Sequence, residues 1–472
     1  MPRNDAIERV LAAEATGDLW SRDALGFPVW SLERFRRYRS EALRGDPEAA
    51  SISTQPSGRK RLAAELRSLR GSLADLRRGS PPERGRDIWV LSSSSYRRRT
   101  PEGEVPCIFA AHLERQLGER LLYVEFDTAR LGSLSRDDVC SIDAIQSPLL
   151  AASRAAAPLL SRRLDRSLTD AFRPTSRRRL ADRALYGRAL LEVGRRWIAR
   201  RPPKAVFVLC GYNMHAPLQQ AARERGIPVI ELQHGIIHES HPGYVLPELP
   251  GRLLPVPDHL VLFGAYFGRM LEREAPMWRD RWTVGGHPWL QAKRQETPTP
   301  TPDGERTVVF FGQYELPVRR RMRDAARHLR AELGDSWRVV IKPHPREPDS
   351  AEFFADAVAE GVELAPPGAD SYSMLGACEV AVSEYSTLAI EALAFSCRSV
   401  ALRSDSWTQS IRDAVTQGLI EPADTPADLA RVVQSDAAST DRREVARDLF
   451  GVGEAEPDFE ALIAHCRASM RT

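Results

Sequence analysis

Val229-Ile230-Glu231-Leu232-Gln233-His234-Gly235 reads as a short apolar strand that ends in a histidine and a glycine. Two later strands end in the same manner. The run 337–341 (Trp-Arg-Val-Val-Ile) leads into Lys342-Pro343-His344-Pro345. The run 379–383 leads through Ser383-Glu384-Tyr385-Ser386-Thr387 into a helix carrying Glu391. Open α/β sheets bind ligands beyond the carboxyl ends of their strands. Three such ends, rich in His, Lys, Ser and Glu, predict a cleft between two domains holding a phosphate-linked substrate.

Working outward, apolar runs alternate with helical stretches on both sides of 229–235. Ile88-Trp89-Val90-Leu91 leads into Ser92-Ser93-Ser94-Ser95-Tyr96. It is followed by 121–125, a helix over about 176–200, and the strands 205–209 and 259–263, and then Gly285-Gly286-His287-Pro288. Continuous apolar strands alternating with helices predict parallel sheets covered on both faces. Residues 291–306 are polar and Pro-rich, as a linker is, and the alternation restarts at 307–311. The expected organisation is a helical extension with a basic linker (1–86), a Rossmann-like domain (87–290), the linker (291–306), a second Rossmann-like domain (307–450) and a C-terminal helix (451–472) packing back on the first domain.

The chain has 472 residues, 42% hydrophobic and 28% charged, an ordinary globular balance sufficient for two or three domains. Its 67 basic and 64 acidic side chains leave a formal +3, which gives no polycation argument for a nucleic-acid partner. Arg-rich runs before residue 205 suit an anionic substrate, a membrane surface or solvated helix faces. Leu62, Leu66, Leu69, Leu73 and Leu76 follow helical spacing with arginines between them. Residues 59–78 are therefore expected to form a basic amphipathic helix, packed on the protein or on an anionic membrane. Six scattered cysteines without a C-x-x-C pair indicate neither a zinc site nor a disulfide framework. The N-terminus lacks the apolar core of a signal peptide, and no stretch approaches the ~20 apolar residues of a membrane span. A cytoplasmic protein, peripheral at most on the inner face of the membrane, is expected.

Chemistry is expected at the strand ends. A helix start offers free N–H groups to phosphate; Ser386 and Thr387 add hydroxyls, and Glu391 faces a ribose. The bland alternative is an N-cap and a surface acid. Lys342 and His344 can neutralise a leaving phosphate. His234, His238 and His241 sit among Gly235 and Pro242, so a loop is expected rather than a helical metal site, with His234 or Glu239 as general base. There is no G-x-G-x-x-G, Walker loop or G-x-S-x-G to support a dehydrogenase, an NTPase or a serine hydrolase.

Gln233-His234-Gly235, His241-Pro242-Gly243-Tyr244, Pro257-Asp258-His259-Leu260, Gly285-Gly286-His287-Pro288, Lys342-Pro343-His344-Pro345 and Ser386-Thr387…Glu391, in that order, resemble the motifs of bacterial capsule and lipopolysaccharide biosynthesis glycosyltransferases. The resemblance covers about 205–402, with Trp30 and Arg34 similar to that family's N-terminal helix. It implies a GT-B fold, two facing Rossmann-like domains with an interdomain cleft. Donor would bind in the C-terminal domain and acceptor in the N-terminal one, with no metal and no bound cofactor. Its implied substrates are a nucleotide sugar, CMP- or UDP-linked, and a polysaccharide or lipid-linked saccharide. The expected donor side comprises Gly312, Lys342, His344, Ser386, Thr387 and Glu391, and the acceptor side Ser94, Tyr96, Arg97 and His241. His234, His344 and Glu239 are the expected catalytic groups. The chain departs from related sialyltransferases in lacking an acidic D/E-D-G motif, and Ser396 stands where many relatives have Gly. A non-hydrolysing sugar-nucleotide 2-epimerase and a non-catalytic nucleotide-sugar-binding subunit remain as alternatives.

Overall fold

The computed structural model describes residues 5–42, 85–98, 105–126, 138–247, 256–297, 306–403 and 411–470, except 18, 173–174, 346, 367, 396 and 436–441. The predicted basic helix 59–78 and Ser396 lie outside the described residues. Seven strands form the first sheet: β1 (Ile88–Ser93), β2 (Leu121–Phe126), β3 (Val139–Ser141), β4 (Ala205–Val208), β5 (Val229–Leu232), β6 (His259–Leu262) and β7 (Trp282–Val284). Their order is β3-β2-β1-β4-β5-β6-β7, all parallel. Six strands form the second: β8 (Thr307–Phe311), β9 (Arg338–Lys342), β10 (Glu363–Leu364), β11 (Val380–Ser383), β12 (Arg398–Leu402) and β13 (Glu421–Ala423). Their order is β10-β9-β8-β11-β12-β13, again parallel. Each sheet has the doubly wound order, in which the chain reverses direction beside the first strand.

The central strands are buried along their length, and covering both faces is what holds them. Each fully buried Val, Ile, Leu or Phe contributes roughly 1.5–3 kcal/mol. In the N-terminal half, helix Arg177–Arg200 starts on Ser176, whose side chain accepts from Arg179 N, and buries Leu180, Ala184, Leu190 and Leu191. In the C-terminal half, Thr425 caps helix Pro426–Gln434 through Asp428 N, with proline at the first helical position.

The buried residues of helices Asp5–Gly17 and Trp30–Ala42 belong to the same apolar cluster as the first sheet. Trp30 Nε1 and Arg34 Nε both donate to Glu14 Oε1 at 2.6 Å, and Arg34 goes on to donate to the carbonyls of Pro242 and Val245. The N-terminal helices thus hold the loop carrying His241 and Tyr244. The stretch from residue 291 begins inside helix Pro288–Glu296, where Gln291 donates to the carbonyls of Phe450 and Gly451. His287 caps this helix by accepting from Leu290 N at 3.2 Å.

The two halves meet along a shared apolar cluster containing Tyr244, Phe263 and Phe267 from the first and Phe311, Leu375 and Ile390 from the second. Helix Arg442–Phe450 packs against both Ala265–Glu274 and Ala392–Ala394. The chain then turns at Gly451 (φ 61°), where a Cβ would lie 2.9 Å from Gly286 Cα. Helix Phe459–Ser469 returns to the first sheet, with the Phe459 ring edge-on to Phe207 of β4 at 5.7 Å. Two doubly wound domains joined in this way form the GT-B fold. No helix of the described residues is long and apolar enough to cross a membrane.

Candidate functional site

Both sheets switch winding direction beside their first strand, between β1 and β4 in one and between β8 and β11 in the other. In open α/β sheets the strand ends at such switch points form the crevices where ligands usually bind.

On the N-terminal side, β1 ends in a turn capped by Ser93, whose side chain accepts from Ser95 N. The turn carries Tyr96 to 5.5 Å from the His234 ring. After β4 come Cys210, Gly211 and Tyr212, and Tyr212 Oη lies 3.3 Å from His234 Nε2. His234 follows β5, and its Nδ1 is 3.6 Å from Glu231 Oε1. Glu231 is 1% exposed. It accepts a 2.6 Å hydrogen bond from Tyr244 Oη, and the backbone N–H of Gly211 also donates to it. A Cβ on Gly211 would lie 2.3 Å from Glu231 Oε2, so only glycine allows this approach.

Burial sets the charge states. It lifts the Glu231 carboxyl to about 7, despite the opposing hydrogen bonds from Tyr244 and Gly211. It holds His234 down to about 3, helped by nearby His215, so the imidazole is neutral at neutral pH, with a free nitrogen lone pair. His238 is likewise held near about 3, by burial and then by Arg412. His241 is pushed well below its usual range by burial and by His238, His234 and Arg34. It packs at 5.4 Å against the Tyr212 ring. Among the described residues no group of three or more His, Cys, Asp or Glu is arranged to hold a metal ion.

On the C-terminal side, Gly312 N donates to Lys342 O at 2.8 Å, and a Cβ there would sit 2.9 Å from that oxygen and 3.2 Å from His344 N. The absence of a side chain lets the ends of β8 and β9 close on each other. Lys342 is 8% exposed, and burial lowers its pKa against the pull of Asp370 and Glu347. His344 N donates to Glu347 Oε1 at 2.8 Å, and the Tyr314 ring lies 5.3 Å from the His344 ring. Gln313 Oε1 accepts from Tyr385 N, tying the end of β8 to the end of β11. Ser386 caps the short helix Thr387–Glu391 by accepting from Leu388 N at 3.2 Å. Glu391 is buried, is hydrogen-bonded by Tyr372 and Thr387, and is raised by that burial. Its Oε2 has no hydrogen-bond partner, nor does the buried hydroxyl of Ser383. A buried acceptor of this kind is costly unless a ligand or water completes it.

Arg97 turns inward, its guanidinium 2.7 Å from Glu125 Oε1 with both side chains 0% exposed. Ser94 is buried in the same turn, where its carbonyl accepts from Arg97 N. Glu239 is held by Arg412 of the C-terminal half, with Nε 2.8 Å from Oε1. Tyr96, His234 and His241 do come together, as do Gly312, Lys342 and His344. Sequence reasoning missed Glu231, Tyr212, Gln313 and Tyr372. For Glu231 a signal was present, a carboxylate inside an otherwise apolar strand.

No protein-family model matches the chain, and no curated protein sequence matches it. Solved structures similar in shape include a UDP-N-acetylglucosamine 2-epimerase (14% identity, 80% of this chain and 99% of that one, TM-score 0.49). The glycotransferase of kitacinnamycin is similar at 15% identity over 82% and 99% of the two chains, TM-score 0.49. MurG of Acinetobacter baumannii is similar at 12% identity over 81% and 100%, TM-score 0.46. At these levels the likenesses assign no residue a role.

Proposed function

We propose that the chain is a glycosyltransferase of bacterial surface polysaccharide assembly. It would move a sugar from a CMP- or UDP-linked donor to a polysaccharide or lipid-linked acceptor, at the inner face of the membrane and without a metal ion. The observation that carries this reading is the pairing of two unlike strand-end clusters. One offers a neutral, buried imidazole at His234 beside Tyr96 and Tyr212. The other offers Lys342 and His344 with the unpartnered carboxylate oxygen of Glu391.

In this reading Lys342 and His344 meet the donor's phosphate, and Ser386 and Thr387 border it. Glu391 Oε2 accepts from the ribose. His234 Nε2 takes the acceptor's hydroxyl proton as that oxygen bonds to the anomeric carbon. The bond from that carbon to the donor phosphate breaks, and its electron pair leaves with the nucleotide. Lys342 and His344 stabilise the charge that develops there. Purified protein incubated with CMP- and UDP-sugars and saccharide acceptors should form a glycosylated product. His344→Ala should abolish it while leaving the circular dichroism spectrum unchanged. Near-normal turnover in that variant would remove the donor-side role.

One observation favours a second reading. Glu231 and His234 place a carboxyl raised to about 7 beside a neutral imidazole. Such a pair could also move a proton on and off a sugar carbon, as an acceptor-free 2-epimerisation requires. NMR of a nucleotide sugar incubated with enzyme alone separates the two: a new epimer without acceptor indicates the isomerase.

A further inference from the structure

We infer that Glu231 is the positioning residue that fixes the His234 imidazole with its proton on Nδ1, leaving Nε2 as the base. The identity of the proton donor rests on the transfer reading above; the geometry of the pair does not. Nδ1 of His234 is buried, has no hydrogen-bond partner, and has Glu231 Oε1 3.6 Å away. Glu231 is itself fixed from two sides, by the Tyr244 hydroxyl and by the Gly211 N–H. Both are donors and oppose the rise that burial imposes; once ionised, the carboxylate can only accept from Nδ1–H. On the other edge of the ring, Tyr212 Oη is 3.3 Å from Nε2, within reach to donate to its lone pair. An acceptor hydroxyl taking the place of the Tyr212 hydroxyl would meet that same lone pair. Once Nε2 has taken the proton, the imidazolium is left facing a carboxylate rather than an apolar wall. A base held by a third group in this way is the general pattern of activated proton transfer.

The groups facing the pair are Tyr96 after β1, Cys210, Tyr212 and His215 after β4, and His241 and Tyr244 in the following loop. Burial pushes the tyrosines up and Cys210 up to about 12, and pushes His215 and His241 down. Glu231, lifted to about 7, is the group whose ionisation falls near neutral pH.

Glu231→Gln keeps the size and the Tyr244 contact but presents an amide to Nδ1. Two-bond proton–nitrogen NMR of the free protein reads the His234 tautomer directly. It should show Nδ1–H in the wild type and a shift toward Nε2–H in the variant. The variant's kcat should fall by about a hundredfold or more. The KM for nucleotide sugar should stay within about threefold, and the rise of kcat through about pH 7 should disappear. Glu231→Asp should recover part of the loss. If Glu231→Gln does not fold, Tyr244→Phe loosens the same carboxylate and should lower kcat roughly fivefold, the worth of one hydrogen bond. Wild-type tautomer and turnover in either variant would overturn the inference and leave the transfer reading standing. Full turnover in His234→Ala would overturn the His234 role in the transfer reading itself.

Discussion

Glu239 and Arg412 form an ion pair between the two halves of the molecule, with Arg412 Nε and a terminal nitrogen 2.8 and 2.7 Å from Glu239 Oε1. Glu239 lies in the loop after β5, a few residues from His234, and Arg412 opens a short helix of the C-terminal half. Burial raises the Glu239 carboxyl, and Arg412 opposes that rise. Removing the guanidinium leaves a buried carboxylate without its counter-charge.

Arg412→Ala should therefore destabilise the protein by about 1–3 kcal/mol, less than for a fully buried pair because Arg412 is partly exposed. Chemical denaturation measures it. Glu239→Gln should retain turnover within roughly a few-fold if His234, not Glu239, is the base. Loss of chemistry in Glu239→Gln with His234→Ala active would reverse that assignment.

Arg97 is predicted to matter for stability and not for acceptor affinity. Its guanidinium lies over the Tyr123 ring at 4.4 Å as well as on Glu125. Arg97→Ala should cost about 3–5 kcal/mol in urea denaturation, because it removes the buried guanidinium that faces the Glu125 carboxylate. A stable variant with a raised acceptor KM would instead restore Arg97 to the acceptor side.

The contrast between Arg97 and His234 shows what the sequence made legible. β4, β5, β8 and β11 are continuous apolar runs with histidine, lysine or hydroxyl residues at their ends, so their type and their ligand-facing ends could be read directly. Arg97 sits in a run of three arginines that looks solvated. Its partner Glu125 is 28 residues away, brought alongside only because Ser92 of β1 pairs with Glu125 of β2. Register between strands is a long-range property that local pattern does not carry. Edge strands such as Glu363–Leu364 and Glu421–Ala423 are too short and polar for a period to show. The helix Pro288–Glu296 was obscured by the Pro-rich stretch that follows it.

A buried histidine that resists protonation should make the fold acid-sensitive. His287 caps its helix and is held by burial near about 3, against an ordinary 6.5. Unfolding frees it to take a proton below about 6.5, so its contribution to stability is lost as pH falls from there toward 3. His287→Asn keeps a capping oxygen without the titrating ring. Between pH 7.5 and 5 its stability relative to wild type should improve by about 2 kcal/mol. A difference that stays constant with pH would show that His287 is freely protonated in the fold.

In the proposed transfer the C-terminal half grips a nucleotide through Lys342 and His344. The most direct measurement is thermal unfolding of wild type and His344→Ala with CMP, CDP, UDP, GDP and their sugar conjugates. A ligand that binds only the folded protein raises the melting temperature by mass action. A rise with one nucleotide family is expected in the wild type and should be lost in His344→Ala. No rise with any nucleotide, or an equal rise in the variant, would contradict it.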